Sequence, residues 1–266
     1  MDRMTSPKVG EYLAELTLTK TPNTIESAKQ ILAEYLRFSR PSDIRVGILD
    51  YLAWCKKKGN NDRTLAHKRV RVLAFYRWLG YSVQIPPIKV RQEAPEAFTR
   101  AELDKMLACA GKHQLLLEVL LKAGLRSTEA SKLTFGDVVD HGLIVRAAHA
   151  KSGRTRVVVT PQGLIEALRE KQHQVLGRPE DRIFLMNRYR ILLIVKRIAK
   201  RAGLDPEKAW SHKWRATYAT TLLHSGLDVN SVRLQLGHST LGPTMRYLTG
   251  LEDSELQAKV SKVWAK

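Results

Sequence analysis

Residues 81–98, YSVQIPPIKVRQEAPEAF, contain three prolines and show neither helical nor strand periodicity. Proline lacks a backbone N–H and disfavours helix in the residue before it, so this stretch interrupts any regular element. It predicts an extended linker at 83–98, between a first domain at 1–82 and a second at 99–266. A surface crossing within one larger domain is the alternative.

The first 82 residues carry apolar positions at helical spacing only. Capping and breaking residues, such as Pro41, predict three helices, at 24–38, 44–58 and 61–79. The third helix has a strongly basic face. Three of its cations are predicted to contact a DNA backbone: Lys68, Arg69 and Arg71. A face that is merely solvated is the alternative.

The second domain combines helices with a short β-hairpin. Thr99 and Glu102 match a capping box, and a helix capped by Ser127 or Thr128 follows. Further helices are predicted at 113–123, 161–174, 187–202, 213–224 and 229–236. Two β-branched runs flank a hairpin tip at Lys151-Ser152-Gly153, and a third short strand is predicted at 182–186. The expected fold class is mainly α with a small antiparallel sheet, as a helical domain followed by a mixed α/β domain.

The charge balance points to a polyanionic partner. Lys and Arg total 45 against 26 Asp and Glu, which gives a net charge of +19. Such a surplus favours nucleic acid, although a basic surface without a partner is the alternative. Cys55 and Cys109 form no metal-binding or redox spacing, and no apolar run is long enough for a membrane span. We therefore expect a reduced, cytoplasmic protein associated with the nucleoid, with no membrane contact.

Side chains suited to phosphate chemistry concentrate in residues 211–247. His212 and Arg215 lie one helical turn apart, His238 follows in Leu-Gly-His-Ser, and Tyr247 comes nine residues later. A guanidinium group binds phosphate oxygens through two parallel hydrogen bonds, and an imidazole can accept or donate a proton. A phenol is a weak nucleophile near neutral pH because its pKa is about 10, so it would need this assistance.

Two further cations can complete such a site. Arg126 lies at a turn that enters a helix, and Lys151 at the hairpin tip could protonate a leaving oxygen. No carboxylate-rich cluster suited to Mg²⁺ is visible in the sequence. We therefore expect cleavage of a phosphodiester by a side-chain nucleophile, with no metal and no other cofactor.

These motifs together resemble the tyrosine recombinase family, the phage-type integrases and Xer-like site-specific recombinases. The resemblance rests on GLRSTEA at 124–130, HKWR at 212–215, and LGHS at 236–239 followed by Tyr247. The sequence KSGRTR is similar to the lysine motif of the family's hairpin. The likeness spans the chain, since the N-terminal bundle resembles the family's core-binding domain. Trp214 and Ala216 stand where the family often has Leu and His, and Gly242-Pro243 precedes Tyr247.

The resemblance implies a recombinase that clamps duplex DNA and joins strands through a 3′-phosphotyrosyl intermediate, without metal or ATP. The implied catalytic residues are Arg126, Lys151, His212, Arg215, His238 and Tyr247. Glu129 is expected to be a buried partner that organises Arg126. Arg154 and Arg156 are expected to contact the DNA backbone or to lie on the hairpin surface.

The tail after Tyr247 has apolar residues at helical spacing, namely Leu256, Val260 and Val263. The resemblance implies that this tail docks on a neighbouring protomer in a tetramer; packing on its own domain is the alternative. Two other functions stay open, a type IB topoisomerase-like enzyme that relaxes DNA and a catalytically silent DNA-binding protein of the same fold.

Overall fold

The computed structural model describes residues 6–38, 43–91, 95–150 and 153–248. Contacts divide the chain into two compact units, residues 1–92 and 93–266. The domain limits predicted at residues 82 and 99 stay predictions. Among the described residues, no helix is both long and apolar enough to cross a membrane.

The first unit is helical in its described residues. Its helices are α1 (Ser6–Leu16), α2 (Pro22–Phe38), α3 (Ile44–Lys57) and α4 (Asp62–Trp78). The carboxylate of Asp43 and the amide oxygen of Asn61 accept from backbone N–H groups three residues later and so fix the starts of α3 and α4. Helix α1 was not among the three predicted helices. Its Tyr12 is buried in the core of this unit, which contains several aromatic side chains from the other helices.

Residues 83–91, in the predicted linker, contain no helix or strand but are held against the first unit. Ile85 is only 5% exposed. The guanidinium groups of Arg45 and Arg69 donate to the carbonyl oxygens of Gln84 and Ile85. This part of the chain is therefore irregular and packed against the first unit, and its role as an interdomain linker stays a prediction.

The helices of the second unit agree closely with those predicted, except that the short helix Gly242–Met245 was not predicted. They are α5 (Arg100–Ala108), α6 (Gln114–Lys122), α7 (Ser127–Ala130), α8 (Gln162–Gln174), α9 (Arg188–Arg201), α10 (Ser211–His224), α11 (Val229–Leu236) and α12 (Gly242–Met245). The predicted capping box starts α5, because Thr99 and Glu102 each bond the other's backbone N–H with a side-chain oxygen. The mainly helical fold class with a small sheet is confirmed.

Within the described residues, three antiparallel strands form one sheet in the order β1–β2–β3. The strands are β1 (Val138–Val139), β2 (Gly142–Val145) and β3 (Arg156–Val159). Strands β2 and β3 form the predicted hairpin, with Gly142 opposite Val159 and Val145 opposite Arg156.

The prediction of a strand at 182–186 is wrong. Arg182 makes one isolated bridge with Thr134, and no ladder continues from it. Ile183 and Phe184 are buried, which explains the strand-like apolar sequence. The chain turns immediately after them, because the N–H of Met186 donates to the carbonyl of Phe184 at 2.7 Å.

Packing of α6 against α10 forms the centre of the second unit's core. Trp214 on α10 is fully buried, and its ring centroid lies 5.0 Å from that of Phe98. Trp214, which stands where the family often has Leu, thus fills the interior of this unit. Because α6 lies on α10, the turn that follows α6 is brought beside the middle of α10.

Candidate active site

The turn between α6 and α7 positions Arg126. Gly124 has φ +57°, and a Cβ atom there would lie 2.3 Å from Cδ1 of Tyr218, so a side chain cannot be accommodated. Oε2 of Glu129 accepts from the backbone N–H of Arg126 at 2.9 Å, and Oε1 accepts from its Nη1 at 2.9 Å. Glu129 is 2% exposed. Its carboxylate therefore holds both the main chain and the guanidinium of Arg126, in the contact expected from the sequence.

Arg156 completes the surroundings of that carboxylate. Its Nη2 and Nη1 donate to the two oxygens of Glu129 at 2.9 and 3.2 Å, and its side chain is 10% exposed. The prediction that Arg156 contacts the DNA backbone or lies on the hairpin surface is therefore wrong. Alternation along β3 was the available signal, because Arg156 shares its face with Val158, which is fully buried.

Burial raises the pKa of Glu129, but the hydrogen bond and the positive charge of Arg156 outweigh that effect. The net pKa of Glu129 lies below its ordinary value, so its carboxylate is ionised at neutral pH.

Helix α11 ends in a Schellman turn that positions His238. The N–H of His238 donates to the carbonyl of Arg233 at 3.1 Å, and the N–H of Gly237 donates to that of Leu234 at 3.0 Å. Gly237 has φ +64°, a conformation that favours glycine, and the side chain of Arg156 packs against it.

The Schellman turn leaves two further carbonyls at the end of α11, and guanidinium groups bind both of them. Nε of Arg156 donates to the carbonyl of Gln235 at 3.0 Å. Nη2 of Arg215 donates to the carbonyl of Leu236. Cations stabilise a helix C-terminus because its terminal carbonyls carry partial negative charge. The same two arginines therefore fix the residues that lead into His238.

Arg215 lies in the interior of the site and is 2% exposed. Its Nη1 donates to the carbonyl of Gly124 at 2.7 Å, which connects α10 to the turn carrying Arg126. Burial, and then the charge of Arg126, lower the pKa of Arg215 to about 9. The guanidinium still keeps its proton at neutral pH.

His238 is half-buried, and its Nδ1 lies 2.8 Å from the hydroxyl oxygen of Thr244. Burial, and then the charges of Arg215 and Arg126, lower the pKa of His238 to about 3. The imidazole is therefore uncharged at neutral pH. A neutral ring can accept a proton at one nitrogen and donate a hydrogen bond from the other.

Tyr247 follows α12, and its N–H donates to the carbonyl of Thr244 at 3.0 Å. Its ring is half-buried and packs against the apolar side chains of α10 and α11. A negative charge on its phenol oxygen would raise the pKa of Arg215, which places the two groups within electrostatic range. The structure thus brings together four of the six predicted catalytic residues: Arg126, Arg215, His238 and Tyr247.

The other two predicted catalytic residues are His212 and Lys151. His212 lies on the first turn of α10, is exposed, and has its ring 5.7 Å from that of Trp210. Lys151 lies outside the described residues, as do the tail residues Leu256, Val260 and Val263.

Arg126, Glu129, Arg156 and Arg215, here called the arginine cluster, carry an unbalanced charge. Three guanidinium groups face one carboxylate, and the adjacent imidazole of His238 is neutral. Two positive charges therefore remain for an external anion. Planar guanidinium groups suit phosphate oxygens in particular. Among the described residues, no group of three or more His, Cys, Asp or Glu side chains could hold a metal ion.

The cations predicted on α4 behave differently from one another. Lys68 is 9% exposed, and its Nζ donates to Glu34 at 2.6 Å and to Sγ of Cys55 at 3.3 Å. The prediction that Lys68 contacts DNA is therefore wrong, because α4 packs that side chain against α2 and α3. Arg69 is half-buried and bonds the carbonyl of Ile85, so its guanidinium is also used within the unit. For half-buried Arg71, as for exposed Arg154 on the hairpin, DNA contact stays a prediction.

Comparison with known proteins identifies the family. A sequence model of the phage integrase family matches residues 96–253. The chain is 28% identical over 244 residues to tyrosine recombinase XerA of Thermococcus kodakarensis, covering 86% of this chain and 85% of that protein. It is 27% identical over 277 residues to tyrosine recombinase XerD of Listeria innocua, covering 90% and 92% of the two chains.

Solved structures share the fold. The integrase of transposon Tn1549, in complex with circular intermediate DNA, superimposes with a TM-score of 0.78 at 17% identity, over 97% of this chain and 98% of that one. The XerH recombinase bound to a palindromic difH substrate gives a TM-score of 0.71 at 21% identity, over 91% and 80%. From the family match and these relatives, the chain belongs to the phage integrase family and is a tyrosine-type site-specific recombinase.

Proposed function

We propose that this recombinase cuts and rejoins duplex DNA through a covalent 3′-phosphotyrosyl bond to Tyr247. The observation that carries the proposal is the surplus of two positive charges in the arginine cluster, beside Tyr247 and an uncharged His238. A phosphodiester under attack gains negative charge on its non-bridging oxygens, and fixed guanidinium groups lower the energy of that state. Duplex DNA as substrate is supported by the DNA-bound integrase and XerH structures that share this fold.

In the proposed cleavage step, the phenol oxygen of Tyr247 forms a bond to phosphorus while the bond from phosphorus to the 5′-oxygen breaks. The phenol proton passes to an imidazole, of His238 or His212, and the departing 5′-oxygen receives a proton from Lys151. Rejoining is the reverse reaction with the 5′-hydroxyl of a partner strand. The phosphotyrosyl bond retains the energy of the phosphodiester, so ATP is not required. The role of Lys151 rests on the family resemblance.

The proposed chemistry also needs no metal ion. The charge that a divalent cation would neutralise in a metal-dependent nuclease is here met by Arg126 and Arg215. Both guanidinium groups are held by hydrogen bonds to fixed atoms, Arg126 by Glu129 and Arg215 by two carbonyls. They are therefore positioned before DNA arrives. We expect full activity in the presence of a chelator.

Recombination breaks four strands, so we further propose that four protomers assemble on two duplexes in the nucleoid and that the tail after Tyr247 joins neighbouring protomers. The exposed guanidinium of Arg154 and the half-buried one of Arg71 are the proposed contacts to the DNA backbone. Light scattering of the DNA complex, with and without the tail, tests the assembly.

The substitution Tyr247→Phe tests the nucleophile. We expect this variant to bind DNA and to form no covalent adduct, because only the attacking oxygen is removed. The adduct can be trapped with detergent on fragmented genomic DNA, and sequencing of the attached 3′ ends would identify the target site. Tyr218→Phe is the matched control. It removes only a long hydrogen bond of 3.4 Å to Oε1 of Gln235, which keeps its bond to Val159, so this variant should still form the adduct.

Three outcomes separate the alternatives. An adduct formed by Tyr247→Phe would refute the assignment of the nucleophile. Relaxation of any supercoiled plasmid by the wild type, without a preferred site, would favour a topoisomerase-like activity. Binding without an adduct in the wild type would identify a catalytically silent protein.

A further inference from the structure

Gln235, on the last turn of α11, bonds the β-hairpin with both its main chain and its side chain. Its carbonyl accepts from Nε of Arg156 at 3.0 Å, and its Oε1 accepts from the backbone N–H of Val159 at 2.9 Å. These partners are the first and last residues of β3. Gln235 thus bonds both ends of β3, although it belongs to none of the motifs that resemble the family.

The bond to Val159 has a specific structural consequence. In the described sheet β3 pairs with β2 on one side, and the N–H of Val159 points away from β2. An outward N–H on an edge strand lacks a partner within the sheet, and here the amide of Gln235 supplies one. The hairpin is therefore attached to α11, and His238 follows Gln235 by three residues.

We propose that Gln235 is a positioning residue for strand cleavage, which fixes the angle of the β2–β3 hairpin by holding the Val159 end of β3 against α11. In the sequence Lys151 precedes the first residue of β3 by five residues, so we expect the angle of β3 to influence where that amine can reach. The inference rests on the proposed function, in which Lys151 protonates the 5′-oxygen. Misplacement of a catalytic group by about 1 Å can slow a reaction about 100-fold.

If Gln235 contributed to stability alone, its replacement would not slow cleavage by more than stability falls. Val159 is 54% exposed, so water can reach the strand edge once the amide is lost. The hydroxyl of buried Tyr218, which donates to the same Oε1, loses only a long hydrogen bond of 3.4 Å. Replacing Gln235 should therefore lower the melting temperature by no more than about 3 °C. The hairpin would lose its attachment to α11 at Val159 while the unit stays folded, and cleavage would slow more than stability falls.

The first test compares Gln235→Met, which removes the acceptor at similar size, with Gln235→Glu, which keeps an acceptor oxygen. On the target site recovered by adduct trapping, we expect single-turnover cleavage by Gln235→Met to be about 10- to 100-fold slower. Cleavage by Gln235→Glu should stay within about 3-fold of the wild type, and DNA affinity within about 2-fold for both. The control is Gln174→Met, an exposed residue on α8, with unchanged cleavage.

The second test replaces the bridging 5′-oxygen of the substrate by sulfur. A thiolate leaves without a proton, so this substrate bypasses the donor on the hairpin. We expect it to restore both Gln235→Met and Lys151→Ala to within about 3-fold of the wild type on the same substrate. Restoration of Lys151→Ala but not of Gln235→Met would overturn the inference for Gln235 alone. If Lys151→Ala is not restored, the proposed role of Lys151 fails first. The inference would also be overturned if Gln235→Met cleaved the oxygen substrate at the rate of the wild type.

Discussion

Each of the two units holds a cluster of charged side chains around one carboxylate, and the clusters differ in their balance of charge. In the first unit, Lys68 pairs with Glu34, whose carboxylate also accepts from the hydroxyl of Tyr51 at 2.7 Å. One cation there faces one anion. In the arginine cluster of the second unit, Arg126 and Arg156 share the single carboxylate of Glu129, and Arg215 adds a third cation within electrostatic range of it.

The difference separates a structural cluster from a functional one. A buried ion pair that is internally balanced needs no further partner, whereas a buried surplus of charge is costly unless something compensates it. In the second unit carbonyls at the end of α11 compensate part of the surplus, and an incoming phosphate would compensate the rest. The charge that folding leaves unpaired is therefore the better indicator of a ligand than the number of basic residues.

The largest expected effect comes from Glu129→Gln. Loss of the shared carboxylate leaves three guanidinium groups to repel one another, and the free energy of unfolding should fall by about 3 to 5 kcal/mol. Cleavage should slow at least about 100-fold, because Arg126 loses the partner that fixes it. Denaturant unfolding and single-turnover cleavage measure the two effects.

The matched control for that change is Glu118→Gln on α6. Glu118 is half-buried and, within the described part of the chain, binds only residues of its own helix, Lys122 and Gln114, so its loss should cost about 1 kcal/mol or less. Equal losses for the two variants would show that the arginines do not depend on Glu129.

A smaller effect on stability is expected for Lys68→Met. Glu34 and Cys55 each lose a partner, but the carboxylate is 37% exposed and keeps its bond to Tyr51, so the loss should be about 1 to 2 kcal/mol. DNA affinity and cleavage by the folded variant should match the wild type. A large drop in DNA affinity, with stability unchanged, would show that Lys68 contacts DNA. Lys20→Met, at an exposed lysine, is the control for stability.

His238 should make stability depend on pH. Its pKa is about 3 in the folded chain, below its ordinary value near 6.5, so the unfolded chain binds the extra proton between these values. Its contribution to stability is present above about pH 6.5 and is lost as the pH falls towards 3. Stability of His238→Gln should decline less than that of the wild type between about pH 6.5 and 4. The exposed His173→Gln is the control, and a slope equal to that of the wild type for His238→Gln would contradict the shift.

The smallest expected effect is that of Arg154→Ala on DNA affinity. An exposed cation that binds one phosphate should weaken binding to all sequences alike and reduce the slope of log K against log salt by about 1. Lys68→Met should leave that slope unchanged, since Lys68 is buried. Fluorescence anisotropy from roughly 50 to roughly 300 mM salt measures both, and equal slopes for the two variants would remove Arg154 from the interface.

Local patterns predicted most of the helices because each depends on neighbouring residues. The caps at Asp43, Asn61 and Thr99 lie where the sequence indicates helix starts. The strand predicted at 182–186 failed because buried apolar residues can end in a turn as readily as continue a ladder. The basic residues of α4 were all predicted to lie on the surface, but Lys68 is buried in the core of its unit.

By itself the sequence determined the fold class, the family and the residue types available for phosphate chemistry, because helical periodicity and closely spaced motifs are local properties of the chain. Only the tertiary structure decided which charges remain for a substrate. Arg126, Arg156 and Arg215 are far apart in sequence. Only the packing of α6, α10, α11 and β3 brings the first two to one carboxylate and binds Arg215 to backbone carbonyls beside them. The contact of Gln235 with Val159 has the same origin, since no motif specifies which side chain will meet the open edge of a strand.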